Sequence, residues 1–167
     1  VDYPTIRPVD IYATPRTLTC IRKDYDYAFF TDRYRGVPEI KLHTIDAEQS
    51  FVVGGVEIVP IRGRHAHFEV TGYRFGDVAY MTDFKEIDDR ELQKLRGVKV
   101  LVINALRFAP HDSHLSVAEA LAIIEKLAPQ RAYLTHMSHE IGLHSLAQNQ
   151  LPENVYFAYD GLKIELE

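Results

Sequence analysis

The hydrophobic positions in the first half of the chain fall in short runs separated by glycine, proline and aspartate, a pattern that indicates β-strands. The predicted strands cover residues 9–13, 40–45, 50–53, 56–61, 68–75 and 78–82. A helix is expected to begin at Thr14-Pro15, because a threonine N-cap followed by proline is typical of a helix start. It should extend to about Lys23, and residues 24–39 should form a packed loop rich in aromatic residues.

The second half of the chain alternates strands with helices. Ser116 and Glu119 have the spacing of a capping box, in which the two side chains satisfy free backbone groups at a helix start. The helices predicted here cover residues 88–95, 116–127 and 141–148. The strands predicted here cover residues 99–105, 131–135, 155–159 and 162–166, the last two as a closing hairpin about Asp160-Gly161.

Antiparallel strands followed by a β-α-β-α-β order predict an α/β fold of the α+β sandwich type, with one mixed sheet and helices on one face. Residues 100–104 and 131–134 are almost continuously apolar, as strands buried on both faces are. Helices from this chain can cover one face only. We therefore expect the other face to be a large apolar patch that packs against a second half of the fold or a second copy of the chain.

Composition limits the partners and the compartment. A hydrophobic content of 46 % supports a folded core, and 19 basic against 24 acidic residues give a net charge of −5. This balance provides no diffuse positive field for gripping a nucleic acid, whereas a small anionic substrate held by a metal is compatible with it. Cys20 is the single cysteine, which excludes an internal disulfide and suits a reducing cytoplasm. The strongest apolar run, residues 98–106, is too short to span a membrane.

Four residues with metal-binding or acid–base side chains stand at the ends of predicted elements. His65, Asp83 and His136 follow apolar strands, and His114 precedes the helix expected at 116–127. Imidazole and carboxylate groups at strand ends are how an α/β scaffold holds a divalent cation at the rim of its sheet. Taken singly, a loop histidine is also an ordinary solvated residue, and an aspartate after a strand is also an ordinary turn residue. Together they predict part of a metal site.

The remaining candidates are weaker. His67 stands two residues after His65 and faces the same side if the chain is extended, so both could converge on one ion. His139 and His144 follow His136, but only His136 belongs to the strand end, so it is the residue assigned to the site. The sequence contains no Gly-x-Ser-x-Gly nucleophile elbow, no phosphate-cradling Gly-x-x-x-x-Gly-Lys and no Gly-x-Gly-x-x-Gly.

Seven stretches spread over nearly the whole chain match one known family in their order and spacing. They are Arg35-Gly-Val-Pro-Glu-Ile40, Ile58-Val-Pro-Ile-Arg-Gly-Arg-His65, Gly72-Tyr-Arg-Phe-Gly-Asp77, Tyr80-Met-Thr-Asp83, Val100-Leu-Val-Ile-Asn-Ala-Leu106, His114-Leu-Ser116 and Leu134-Thr-His-Met-Ser-His139. With these motifs the sequence resembles the second half of a metallo-β-lactamase-fold hydrolase. It is similar to the cyclic-phosphate phosphodiesterases of phosphonate catabolism and, more distantly, to ribonuclease Z, the tRNA 3′-processing endonuclease.

The resemblance implies a role for each strand-end residue. His65 is similar to the family's fourth histidine ligand, on the first metal, and Asp83 to the aspartate that bridges both metals. His136 is similar to the last histidine, on the second metal. His114 resembles the catalytic histidine that contacts the scissile phosphate. The implied cofactors are two divalent ions, Zn²⁺ or Mn²⁺.

The family's other four ligands come from a His-x-His-x-Asp-His motif, which this sequence lacks. We expect that motif to lie upstream of Val1, so that residues 1–167 are a single partial domain with weak or no metal binding and no useful turnover by themselves. The complete protein is expected to hydrolyse a phosphodiester, either a cyclic phosphate or a nucleotide-type ester, with two cations about 3.5–4 Å apart. His114 would stabilise the phosphoryl charge or protonate the leaving oxygen. The alternative is a non-catalytic half-domain that acts as an association module.

Overall fold

Two units make up the chain in the computed structural model, which describes residues 8–30 and 36–166. The boundary falls between Gln49 and Ser50. In the first unit, strand β1 (Val9–Ala13) pairs in parallel with strand β2 (Ile40–Thr44), and helix α1 (Pro15–Asp24) lies between them in sequence. These elements confirm the strands and the helix predicted for this region.

Local sequence explains the helix of the first unit. Pro15 occupies the first helical position, where its missing N–H costs nothing, and Arg22 and Lys23 lie in the last turn, where positive charge is favourable. The predicted loop that follows begins with a short 3-10 turn, Asp26–Phe29. Residues 31–35 of that loop lie outside the described residues.

The second unit is built on a seven-stranded mixed sheet. Its strands are β3 (Phe51–Val53), β4 (Val56–His65), β5 (Phe68–Phe75), β6 (Val78–Met81), β7 (Val100–Asn104), β8 (Arg131–Thr135) and β9 (Val155–Phe157). Neighbours in the sheet follow chain order; the pairs from β3 to β6 are antiparallel and those from β6 to β9 are parallel. The predicted change from antiparallel to parallel pairing within one sheet is therefore confirmed.

Helices cover one face of this sheet, as predicted. They are α2 (Asp89–Gln93), α3 (Val117–Leu127) and α4 (His144–Ala147). Their buried residues, such as Leu92 and Ala120, share one core with a row of paired strand residues that comprises Met81, Ile103, Leu134 and Phe157. Over the described part of the chain, no helix has both the length and the apolar character needed to cross a bilayer.

The opposite face of the sheet carries a row of large side chains. Direct strand partners place on one line Pro60, Tyr73, Tyr80, Val102, Tyr133 and Tyr156. Leu162 and Ile164 pack against the Val102 and Tyr133 part of this face. The predicted closing hairpin is therefore wrong: β9 ends at Phe157 and pairs in parallel with β8, and residues 162–166 form no strand. Leu162 and Ile164 of this segment are partly buried against the sheet face instead of being paired at its edge.

Candidate metal centre

The parallel half of the sheet brings the predicted site residues to one edge. Asp83 lies two residues beyond β6, and His136 follows β8 directly, so both stand at the carboxyl ends of parallel strands on either side of β7. Both residues have left-handed backbone conformations, with φ of 64° for Asp83 and 61° for His136. Such conformations are uncommon for residues other than glycine and cluster at functional sites. The two turns point the chain back towards a shared space at the rim.

Three ligand atoms form a nearly equilateral triangle in that space. The Asp83 Oδ1 lies 3.4 Å from the His114 Nε2 and 3.3 Å from the His136 Nε2, and the two histidine nitrogens are 3.1 Å apart. Ligand atoms about 2.0–2.1 Å from a tetrahedral cation are separated by about 3.3–3.4 Å. Imidazole nitrogen and carboxylate oxygen are also the ligands that Zn²⁺ and Mn²⁺ accept. The donor set and its spacing therefore fit a divalent cation.

His65 joins the same cluster through its neighbours. It is the last residue of β4, and its ring packs edge-on against the ring of His114 with centroids 4.4 Å apart. The Nδ1 of His65 lies 2.8 Å from the carbonyl oxygen of Ser113. A carbonyl can only accept, so Nδ1 must carry the proton and donate it, which leaves the Nε2 of the neutral ring free as a metal ligand. Histidines that bind a metal usually make such a hydrogen bond with their other ring nitrogen.

Electrostatics at the cluster favour an ionised Asp83 carboxylate. Burial alone would raise the pKa of Asp83, but the hydrogen bond from Thr82 and the neighbouring His136 and His114 outweigh it and hold that pKa below its ordinary value. Burial lowers the pKa of His114; a hydrogen bond to Asp83 opposes this, and the nearby His65 and His136 add to the lowering. An ionised carboxylate is the protonation state that binds a cation.

A buried asparagine fixes the turn that carries Asp83. Asn104, at the end of β7, is fully buried, and its Oδ1 accepts a hydrogen bond from the Phe84 N–H at 2.8 Å. Its Nδ2 donates to the Phe84 carbonyl at 2.9 Å. The side chain thus satisfies both backbone groups of the residue next to Asp83. Sequence reasoning assigned Asn104 no role, although an amide at the end of an entirely buried strand was a usable signal.

We expect Asn104→Ala to lower the free energy of unfolding by about 1–3 kcal/mol, because the buried N–H of Phe84 loses its partner while the Phe84 carbonyl keeps the Leu115 N–H. Urea denaturation measures this change, and the matched control is Asn149→Ala at an exposed position, expected to change stability by less than about 0.5 kcal/mol. An Asn104→Ala protein as stable as the control would show that the amide does not hold the turn.

The other histidines take different positions. The ring of His67 packs on Phe68, with centroids 4.0 Å apart, and His67 is outside the group of ligand atoms around Asp83. The Nε2 of His144 lies 3.2 Å from the carbonyl oxygen of Phe157. His111, for which no role was predicted, lies beside the site: its ring centroid is 5.3 Å from that of His114.

A carboxylate and several imidazoles at the carboxyl edge of a mixed sheet backed by helices form a donor set suited to a divalent cation. The family model described as a beta-lactamase superfamily domain matches residues 1–137, and the chain belongs to this superfamily. The predicted family is therefore confirmed.

Individual relatives agree with this assignment. A crystal structure described as a new diphosphatase from the PhnP family is 32% identical to this chain, with a TM-score of 0.86. The match covers 96% of this chain and 60% of that one. Human tRNase Z, short form, shares the fold at 13% identity with a TM-score of 0.66, over 96% of this chain and 68% of that one. An octanoyltransferase of Porphyromonas gingivalis (strain ATCC BAA-308 / W83) is 32% identical over 158 residues, which are 94% of this chain and 32% of that protein.

Proposed function

We propose that this chain is the C-terminal portion of a metal-dependent phosphodiesterase, with His65, Asp83 and His136 as metal ligands and His114 as the catalytic residue. The observation that carries the proposal is the convergence at the rim of the sheet of the Asp83 Oδ1 and the Nε2 atoms of His136 and His114, with separations of 3.1, 3.3 and 3.4 Å. Membership of the beta-lactamase superfamily supports the reaction type. The lone, exposed Cys20 agrees with a cytoplasmic location.

The residues of this chain supply part of a two-metal site. We propose that Asp83 bridges two cations, that His65 binds the first and that His136 binds the second. Zn²⁺ or Mn²⁺ at this place would polarise a phosphoryl oxygen and lower the pKa of a bound water. The His-x-His-x-Asp-His motif is absent from these 167 residues. We therefore propose that an N-terminal half of the fold completes the site.

His114 is placed to handle the proton of the leaving group. In the proposed hydrolysis the oxygen of a water forms a new bond to phosphorus and gives up one proton. The bond from phosphorus to the leaving oxygen breaks, and that oxygen takes the bonding electron pair and the Nε2 proton of His114, which enters the step with a proton on each ring nitrogen. The Nδ1 proton stays in place, and the proton released by the water returns to Nε2, so the net change is addition of one water across the ester bond. The alternative role for His114 is a hydrogen bond to the phosphoryl oxygen as its charge grows.

The substrate class follows from charge and from the similar structures. A net charge of −5 without a basic surface excess favours a small anionic ester over a long nucleic acid. The PhnP-family relative is described as a diphosphatase, and a diphosphate resembles a phosphodiester in having a phosphorus centre with a bridging oxygen as leaving group. We propose a small phosphodiester as the substrate.

The test uses the protein as its gene encodes it, stripped of metal by a chelator and assayed on bis(4-nitrophenyl) phosphate. Added Mn²⁺ or Zn²⁺ is expected to restore release of nitrophenolate, and the metal-free protein is the control. 4-Nitrophenyl acetate, which has the same leaving group on a carbonyl, tests for phosphorus selectivity. Release that is independent of metal, or that occurs from the acetate alone, would contradict the proposal.

A second candidate, the association module, is favoured by the aromatic row on the sheet face that bears no helices. Tyr80 and Tyr156 of that row remain 46% and 39% exposed. As a module, the chain would use this face to bind a second copy of itself, whereas in the enzyme the same face would bind the N-terminal half of the fold. Light scattering with intact-mass analysis distinguishes the enzyme from the association module. A larger chain or a co-purifying N-terminal half supports the enzyme, and a dimer of this chain alone supports the module. A stable monomer of 19.2 kDa contradicts both.

A further inference from the structure

Ser113 contacts three histidines of the site region at once. Its carbonyl oxygen accepts the hydrogen bond from the Nδ1 of His65 at 2.8 Å. Its Oγ lies 2.9 Å from the Nδ1 of His114 and 3.2 Å from the Nδ1 of His111. Its backbone N–H donates to the same Nδ1 of His111, also at 3.2 Å. One residue therefore connects the ligand predicted on β4 with the histidine predicted to be catalytic.

The donors and acceptors fix the direction of these hydrogen bonds. The Nδ1 of His111 accepts from a backbone N–H, so it carries no proton. The bond between this nitrogen and the hydroxyl of Ser113 must then be donated by the hydroxyl. The lone pairs of Oγ are left to accept from the Nδ1–H of His114. Each hydrogen bond is thus donated in the same direction, from His114 to Ser113 and from Ser113 to His111.

The consequence for His114 is a fixed ring orientation. With Nδ1 held by Ser113, the other nitrogen, Nε2, faces the Asp83 carboxylate and His136. The carbonyl of Ser113 has the same effect on His65, whose Nε2 is the nitrogen left free for a cation. Two separate groups of one residue thus set the orientation of two imidazoles.

We propose that Ser113, supported by His111, is a positioning residue: its hydroxyl presents the Nε2 of His114 to the reacting phosphate, and its carbonyl presents the Nε2 of His65 to the cation. This inference rests on the proposed function. It resembles the general arrangement in which a third group orients the histidine that transfers a proton. Because the two tasks use different atoms, a side-chain substitution removes the first and keeps the second.

The experiment compares Ser113→Ala with the wild type on two methyl phosphodiesters, one with a phenol and one with a 4-nitrophenol leaving group. Phenolate needs a proton from His114 much more than nitrophenolate does. Ser113→Ala is expected to lower kcat for the phenyl ester by roughly 10–10²-fold and to affect the nitrophenyl ester far less. Metal content and KM should stay unchanged, because the carbonyl that holds His65 remains.

Matched variants separate positioning from packing. Ser113→Thr keeps the hydroxyl and is expected to restore most of the phenyl ester activity. His111→Asn keeps an acceptor near the place of Nδ1 and should lose less activity than His111→Leu, which has none. Equal losses of Ser113→Ala on both esters, loss of metal, or a Ser113→Thr protein as impaired as Ser113→Ala would overturn the proposal.

A spectroscopic measurement keeps the inference independent of turnover. The ¹⁵N chemical shifts of the His114 ring report which nitrogens carry protons and whether those protons are hydrogen-bonded. The wild type is expected to show a protonated, hydrogen-bonded Nδ1, and Ser113→Ala is expected to change the Nδ1 shift because the hydrogen bond to Oγ is lost. An unchanged His114 spectrum in Ser113→Ala overturns the role of Ser113. A wild type that hydrolyses neither ester overturns the proposed function instead.

Discussion

Replacement of Asp83 by asparagine is expected to abolish cation binding at the rim while leaving the fold intact. Asparagine has nearly the same shape as aspartate but lacks the charge, and it tolerates the left-handed backbone found here, with φ of 64°. Loss of a partner outside the ligand shell already costs 10–100-fold in metal affinity, so loss of a direct ligand, the role proposed for Asp83, should cost more than about 10²-fold.

Titration calorimetry with Mn²⁺ or Zn²⁺ on the gene-encoded protein measures this change. The matched control is Asp112→Asn, which removes the same charge at an exposed position in the His114 loop and should bind like the wild type. Wild-type affinity in Asp83→Asn would remove the carboxylate from the site. Equal losses of metal affinity in both variants would show that net negative charge, and not coordination by Asp83, determines the affinity.

Replacement of His114 by alanine is expected to reduce phosphodiester turnover by roughly 10²–10⁴-fold with unchanged metal content. The reason is that the Nε2 of His114 lies 3.4 Å from the Asp83 Oδ1 and 3.1 Å from the His136 Nε2, next to the proposed ligands and within reach of a phosphate held there. Steady-state kinetics on bis(4-nitrophenyl) phosphate and elemental analysis of the purified protein measure the two quantities. His67→Ala is the control, since the ring of His67 packs on Phe68 outside the cluster.

Both outcomes of the metal analysis are informative, because the geometry places His114 at one corner of the ligand triangle. If the His114→Ala protein loses its metal, His114 is a ligand and the catalytic assignment is wrong. Wild-type turnover in this variant would make His114 a bystander. The catalytic role therefore depends on lost turnover with retained metal.

Strand ends made much of the candidate site predictable from sequence. His65, Asp83 and His136 each follow an apolar run, and parallel strands bring their carboxyl ends to one edge of a sheet. His114 was found from its place before a capped helix. The hydrophobic pattern is sufficient to predict where these strands and this helix end. It does not predict the left-handed backbone at Asp83 and His136, because that conformation depends on how the loops pack.

Residues that act through long-range hydrogen bonds were not predictable in the same way. Asn104 binds Phe84, and Ser113 binds His65, across large separations in sequence. The strand predicted for residues 162–166 was wrong for a related reason. Leu162 and Ile164 alternate with polar residues, as the residues of a paired strand do. The same alternation also suits a segment laid on a sheet face, which is where these residues pack. A pattern of period two shows that one side is buried, but not against what.

Anomalous diffraction from crystals of the gene-encoded protein grown with Mn²⁺ tests whether Asp83 and His136 bind a cation. A manganese peak is expected at the rim of the sheet, within about 2.0–2.3 Å of both the Asp83 Oδ1 and the His136 Nε2. Manganese peaks that lie only elsewhere on the protein, or none at this rim at saturating Mn²⁺, would contradict it.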